Sequence, residues 1–235
     1  DLNQRVGHPI RIEFTGQIYC LHCGEPTNKS FGQGYCYKHF MALAQNDSCI
    51  MSPEQCHYDL GTCREPAWGE SSCMQTHYVY LSNASSIKVG ITRGGQIPTR
   101  WIDQGAHEAI EIVEVPNRYL AGITEVALKN YVADKTNWRK MLKNDITDEN
   151  LLEWKQQLKA YIPNEAKDYF IENNLETHLM FPVNQYPEKP KSLNLNKSIS
   201  YSGKLVGIKG QYLIFEDNTV FNIRANEGLV VELNV

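Results

Sequence analysis

The chain has 235 residues, 42% of them hydrophobic, with 23 Lys and Arg against 27 Asp and Glu for a formal net charge of −4. That apolar content excludes a disordered chain, the length allows one large or two to three small domains, and the acidic balance excludes a strongly basic coat that holds nucleic acid through counterion release. No apolar run reaches the length of a membrane span and no Arg-led apolar N-terminal signal is read, so a cytoplasmic protein with no membrane partner is expected.

Pro9-Ile10-Arg11-Ile12-Glu13-Phe14 alternates apolar and polar, the period of a half-buried strand. It leads into a stretch that holds all seven cysteines, between Cys20 and Cys73. An odd number in a chain expected to be cytoplasmic disfavours disulfides and favours metal. Cys20-x2-Cys23, twelve residues, then Cys36-x2-His39 is the sharpest set, with spacing that suits a closed, tetrahedral structural zinc. Gly32 and Gly34 allow tight turns in the intervening loop, and the arrangement resembles a treble-clef or zinc-ribbon finger. His22, inside the knuckle, is expected to be exposed rather than a ligand. Cys49, Cys56, Cys63 and Cys73 equal one further all-cysteine site, for one or two structural zinc ions in all. His57 and His77 are rival ligands there, Cys56, Cys63, Cys73 and His77 form the leading mixed set, and buried free cysteines are the alternative.

Tyr78-Val79-Tyr80 and Ile87-Lys88-Val89-Gly90-Ile91-Thr92, separated by Ser82-Asn83-Ala84-Ser85-Ser86, read as a hairpin that sets Tyr80 near Lys88. Pro98 fits the first position of a helix carrying Arg100 and Trp101. A helix over 122–132 has Ile123, Val126, Ala127 and Tyr131 as inward positions, with Glu125 and Lys129 sharing another face at i, i+4 spacing. Phosphodiester cleavage needs a cation anchored by a carboxylate, a fixed positive charge for the phosphorane, and a group that handles the nucleophile's proton. Glu125, Arg100 and Tyr80 supply those types; an exposed Glu125–Lys129 ion pair and an Arg100 stacked on an aromatic are the plain alternatives. Between His77 and Lys143, nine Lys and Arg face six Asp and Glu, Asp134 among them, so this segment is mildly basic within an acidic chain.

Trp138 and Arg139 could stack on and charge-match a nucleic-acid strand, or Trp138 is half-buried core. Asp148 is expected to cap a helix through Leu151, Leu152, Trp154, Leu158 and Tyr161 that stops before Pro163, and a second helix to span 165–174. Pro182, Pro187 and Pro190 mark a connector. Four short runs at 204–209, 212–215, 220–224 and 229–233 then read as a β meander that pairs with the N-terminal strand. Lys204, Lys209 and Arg224 there could touch phosphates or form a solvated face.

On the order Tyr78-Val79-Tyr80, Lys88-Val89-Gly90-Ile91-Thr92, Arg100 and Glu125, the segment from Tyr78 to about Lys143 resembles the GIY-YIG endonuclease superfamily, in its phage-related branch. The resemblance implies a small sheet with helices, a catalytic set of Tyr80, Lys88, Arg100 and Glu125, and Mg2+ or Mn2+ on Glu125. Gly90, Trp101, Lys129 and Arg139 would lie on the substrate side, the substrate being DNA or RNA. Lys88 stands where many members carry a tyrosine, and the expected histidine is missing or displaced to His107. End to end, the chain also resembles a zinc-containing bacterial family with no assigned function. The expected fold is α+β, with a strand and zinc module over 1–76, the core over 77–145, a helical extension over 146–181, a connector over 182–196 and a β module over 197–235. The expected function is a zinc-containing nucleic-acid-processing protein with a metal-dependent endonuclease core. The alternative is a noncatalytic zinc-finger module that binds nucleic acid or a protein partner.

Overall fold

Ten strands form two separate sheets in the computed structural model, which describes residues 1–133 and 135–235 and leaves Asp134 outside the described residues. The strands are β1 (Pro9–Ile18), β2 (His77–Asn83), β3 (Ile87–Arg93), β4 (Glu108–Val115), β5 (Glu176–His178), β6 (Lys191–Ser192), β7 (Ser200–Lys209), β8 (Tyr212–Phe215), β9 (Thr219–Asn222) and β10 (Leu229–Asn234). The helices are α1 (Tyr37–Ala42), α2 (Ser48–Met51), α3 (Pro66–Ser72), α4 (Thr99–Asp103), α5 (Arg118–Leu128), α6 (Trp138–Lys143) and α7 (Leu151–Leu158). The fold is α+β. The chain divides into two units, one made of residues 1–42, 142–144 and 181–235, the other of residues 43–141 and 145–180.

In the first unit the sheet order is β10-β1-β7-β8-β9-β6. Strand β1 buries Ile10 and Ile12, as its alternation requires. It lies antiparallel between the first and last strands of the C-terminal meander, with Ile12 opposite Tyr201 on β7 and Leu233 on β10. Leu205, Leu213, Phe215 and Phe221 complete that core, joined by Leu195 from the proline-marked stretch. That stretch also contributes β6, which pairs parallel with β9. The run at 220–224 leaves the sheet at Asn222 and enters a 3-10 turn at Arg224–Asn226.

In the second unit the order is β3-β2-β4-β5. The β2–β3 hairpin matches its sequence signal, with Tyr80 directly opposite Gly90 and Ser82 opposite Lys88. Opposed residues share a face, so Tyr80 and Lys88 are diagonal neighbours. Val79, Leu81, Val89, Ile110, Ile112 and Leu128 form the core under this sheet, with Leu151 and Leu158 of α7.

Three helix expectations need correction. Helix α5 starts at Arg118, capped by the Asn117 side chain, which accepts from the Leu120 N–H at 2.9 Å. It buries Ala121, Gly122, Thr124 and Leu128, whereas Val126 and Tyr131 are exposed. Small residues set this face: a Cβ on Gly122 would lie 2.5 Å from the Glu54 backbone nitrogen and 2.6 Å from the Pro53 carbonyl carbon, so the backbones pack closer than larger side chains allow. Helix α7 is capped by Asn150, not Asp148, through a 3.1 Å bond from the Glu153 N–H. Residues 165–174 form no α-helix. A 3-10 turn at Asn164–Tyr169 gives way to extended chain, because Phe170 bridges to Val113 and Ile171 donates to the Ile112 carbonyl at 2.8 Å. Tertiary pairing overrides the helical pattern there.

Candidate functional site

Three clusters carry chemistry, and the first is the knuckle of the first unit. Cys20 leaves β1, Gly24 takes the left-handed turn at φ +72°, and Cys36 precedes α1 so that His39 returns to it one turn later. The ligand atoms of Cys20, Cys23, Cys36 and His39 all lie within 4.8 Å of one another. His39 Nδ1 is 3.2 Å from Cys36 Sγ and 3.6 Å from Cys20 Sγ. Tetrahedral zinc with its usual bond lengths sets such atoms roughly 3.5–3.8 Å apart, so the group can hold zinc. Burial works to raise the Cys20 thiol, but the backbone N–H groups of Cys23, Cys36 and His22, with His39, outweigh it and bring it down to about 5. A thiolate at neutral pH is what a metal needs. The Cys23 thiol is raised: the Glu25 N–H lowers it, but burial and the neighbouring Cys20 and Cys36 thiols prevail. His22 packs on the His39 ring at 4.5 Å between centroids.

In the second unit Cys49, Cys56, Cys63 and Cys73 line one cavity of about 10 Å³. Burial pushes the Cys49 thiol up to about 11, with Asp47 and the other three cysteines adding to the shift. Asp47, Cys49 and His57 also present atoms within 4.8 Å of one another. His77 does not line the cavity. It is fully buried, its Nδ1 lies 2.7 Å from the Gln75 carbonyl oxygen, and its Nε2 has no hydrogen-bond partner.

The third cluster surrounds Tyr80. The Tyr80 hydroxyl donates to Gln104 Oε1 at 2.9 Å, and its ring meets Trp101 edge-on at 5.9 Å. Burial raises the Tyr80 pKa; the adjacent Arg100 guanidinium opposes that rise and the Glu125 carboxylate adds to it. Arg100 of α4 and Glu125 of α5 therefore both act on the Tyr80 hydroxyl of β2. Gly90 is required for this: a Cβ there would stand 2.7 Å from the Tyr80 hydroxyl oxygen, so the space it leaves is filled by the tyrosine. Lys88 is buried, and its strand also bridges to Ala133. Trp101 is buried against Tyr80, whereas Lys129 and Arg139 are exposed, the Arg139 guanidinium lying 4.3 Å over the half-buried Trp138 ring. His107 sits by the far end of β2, with Nδ1 3.3 Å from the Asn83 carbonyl oxygen and Nε2 3.7 Å from Glu108.

The solvated-face reading of the meander cations fails at Lys209. It is 1% exposed, donates to Asn144 Oδ1 at 2.7 Å and lies over the Phe181 and Tyr186 rings, where desolvation lowers its pKa to about 8. Lys204 pairs with Glu216 at 3.0 Å and Arg224 donates to Gln33 at 3.0 Å. Sequence reasoning missed Gln104 and Arg118. Gln104 had a signal, one helical turn beyond Arg100; Arg118 had none, because its neighbours Cys73 and Cys49 are remote in the chain.

The family described as "Protein of unknown function (DUF2797)" matches residues 7–231. No curated protein and no solved structure matches. Among the described residues, no helix is long and apolar enough to cross a membrane.

Proposed function

We propose that this chain, which belongs to the DUF2797 family of proteins of unknown function, is a zinc-stabilised nucleic-acid-processing protein whose second unit cleaves phosphodiesters in the manner of GIY-YIG endonucleases. The observation that carries the reading is that the Arg100 guanidinium and the Glu125 carboxylate both act electrostatically on the Tyr80 hydroxyl, which fills the space left by the missing side chain at Gly90. The GIY-YIG resemblance selects all of these, Tyr80, Arg100 and Glu125 with Lys88 as the catalytic set and Gly90 on the substrate side.

Glu125, half-buried on α5, offers the single hard carboxylate that Mg2+ or Mn2+ takes alongside water and substrate oxygens. A cation bound there would polarise the scissile phosphate and stabilise the leaving oxygen. Arg100 supplies fixed positive charge for the phosphorane. The raised pKa keeps Tyr80 protonated at neutral pH, so its oxygen orients a water by accepting a hydrogen bond rather than by taking a proton. Gln104 accepts from that hydroxyl and fixes its direction. Lys88, diagonal to Tyr80 on the same face, adds a second positive charge near the site.

One observation favours a second reading. The Tyr80 side chain is fully buried, which suits a core that has lost turnover and keeps a binding role for nucleic acid or a protein partner. A panel of labelled DNA and RNA, single-stranded, duplex and branched, incubated with Mg2+ or Mn2+, separates the two. Product from wild type and none from Glu125→Ala supports the nuclease. Salt-dependent retention without product supports the binding module.

A further inference from the structure

We propose that the second unit holds a metal ion of its own, a closed structural site with Cys49, Cys56, Cys63 and Cys73 as its four ligands and zinc as the fitting ion. The four sulfurs come from four local elements: Cys49 from α2, Cys56 from the end of the 3-10 turn at Pro53–Gln55, Cys63 from the loop before α3, and Cys73 from the cap that ends α3. All four line one cavity of about 10 Å³, which Asp47 and His57 also line, roughly the space of a single water-sized sphere. That is room for one ion and for no organic ligand. The atoms already within 4.8 Å of one another there are those of Asp47, Cys49 and His57, so the other three sulfurs would have to draw in around the ion. A set of thiolates selects a soft or borderline cation, and four of them leave no open position for water, so the role is structural.

Neither histidine competes well. His57 has both ring nitrogens engaged, Nδ1 with Thr62 Oγ1 at 2.8 Å and Nε2 with Asp47 at 3.5 Å. His77 lies outside the cavity lining. Asp47 is likewise committed: its carboxylate takes Arg64 at 2.8 Å and the Ser48 N–H at 2.6 Å. It belongs to the polar ring around the site rather than to its ligands.

Binding would release four thiol protons to solvent and leave a tetrathiolate with a net double negative charge. A buried charge of that kind needs a counter-charge. Arg118 provides it. Its guanidinium lies in the field of Cys73 and Cys49, its Nη2 donates to the Ile50 carbonyl at 2.7 Å, and its Nε is buried with no partner. An unpartnered buried N–H beside thiol sulfurs is the arrangement that supports a metal-bound thiolate from outside. Arg118 is also the first residue of α5, so the site would brace the helix that carries Glu125. The metal site itself does not depend on nuclease activity.

The test is metal stoichiometry of the full chain, purified in the presence of zinc and then desalted. Wild type should retain two equivalents, Cys36→Ser one, Cys56→Ser one, and the double variant none, while His57→Ala and His77→Ala keep both. Wild type needs no variant for a second reading: fully cobalt-loaded protein should show thiolate-to-cobalt charge-transfer intensity for seven thiolates over two ions, against three over one if the knuckle alone binds. Arg118→Met should keep both ions but release the second to a competing chelator about 10–100-fold more readily. A single equivalent in wild type, removed by Cys36→Ser, would overturn the proposal. So would a second equivalent that His57→Ala or Asp47→Asn abolishes, since the ligands would then be Asp47, Cys49 and His57.

Discussion

The two cysteine clusters differ in how the chain assembles them. The knuckle draws its ligands from two short pieces three residues apart internally, Cys20 with Cys23 and Cys36 with His39. The second cluster gathers four cysteines from four elements spread over α2 to the end of α3. Each segment is docked within its own unit by a glycine contact. A Cβ on Gly228 would meet the Tyr19 carbonyl oxygen at 2.9 Å, beside the knuckle, and one on Gly122 would meet the backbone of Pro53 and Glu54. A short-range metal site orders a loop, whereas a long-range one ties separate turns to the helix and sheet they cover. Both segments are loop-rich and short of apolar runs, so a bound metal in either would supply order that hydrophobic burial does not.

The largest effect should come from removing the knuckle's metal. Cys36→Ser, or a strong chelator, withdraws roughly 10 kcal/mol of metal-linked folding energy from that loop. Hydrogen exchange should then lose its protection over 19–42 while the β2–β4 sheet keeps its own; equal loss in both units would break the comparison.

Acid probes the other side. Burial lowers the His77 pKa from 6.5 to about 4, with the Gln75 carbonyl opposing that shift and Arg118 and Arg93 reinforcing it. The unfolded chain therefore takes up a proton at a pH where the folded one does not, so stability falls as pH drops from about 6.5 toward 4, by up to about 3 kcal/mol. Denaturant melts across that window should show a slope that His77→Asn removes. Next in size, Gly122→Val forces α5 away from the turn at Pro53–Gln55 and should cost about 1–3 kcal/mol. A melting temperature unchanged by this substitution would mean that the contact does not brace the second cluster. Smallest, Ser30→Ala removes a hydroxyl that accepts from the Gly34 N–H at 2.8 Å and donates to the Glu227 carbonyl at 2.9 Å. A loss of about 1 kcal/mol confined to the first unit is expected.

What could be read from the sequence follows the same division. Local spacing carried the knuckle, the hairpin and the meander, since each needs only neighbours within about a dozen residues. That β1 is a strand was legible from its alternation and its pairing with the meander was expected, but its place between the first and last meander strands was not. The inward face of α5 was not, because glycine and alanine pack there and the large apolar residues Val126 and Tyr131 do not. Nor was the end of the helical extension, where Phe170 and Ile171 join β4. Among the candidate catalytic residues, Arg100 and Glu125 both influence the Tyr80 hydroxyl, whereas Trp101, placed on the substrate side by resemblance, is packed under Tyr80. The role of Arg118 depends on contacts with Cys73 and Cys49 that no linear spacing encodes, whereas Gln104 lay within reach of a helical-spacing argument from Arg100.

The most direct measurement is single-turnover cleavage of the best substrate from the panel in Mg2+, comparing wild type with Glu125→Ala at matched zinc content. The account predicts product from wild type and a loss of at least about 10²–10³-fold in the variant, the scale of removing one group that stabilises the transition state, with zinc and melting temperature unchanged. Equal rates in the two proteins would contradict it.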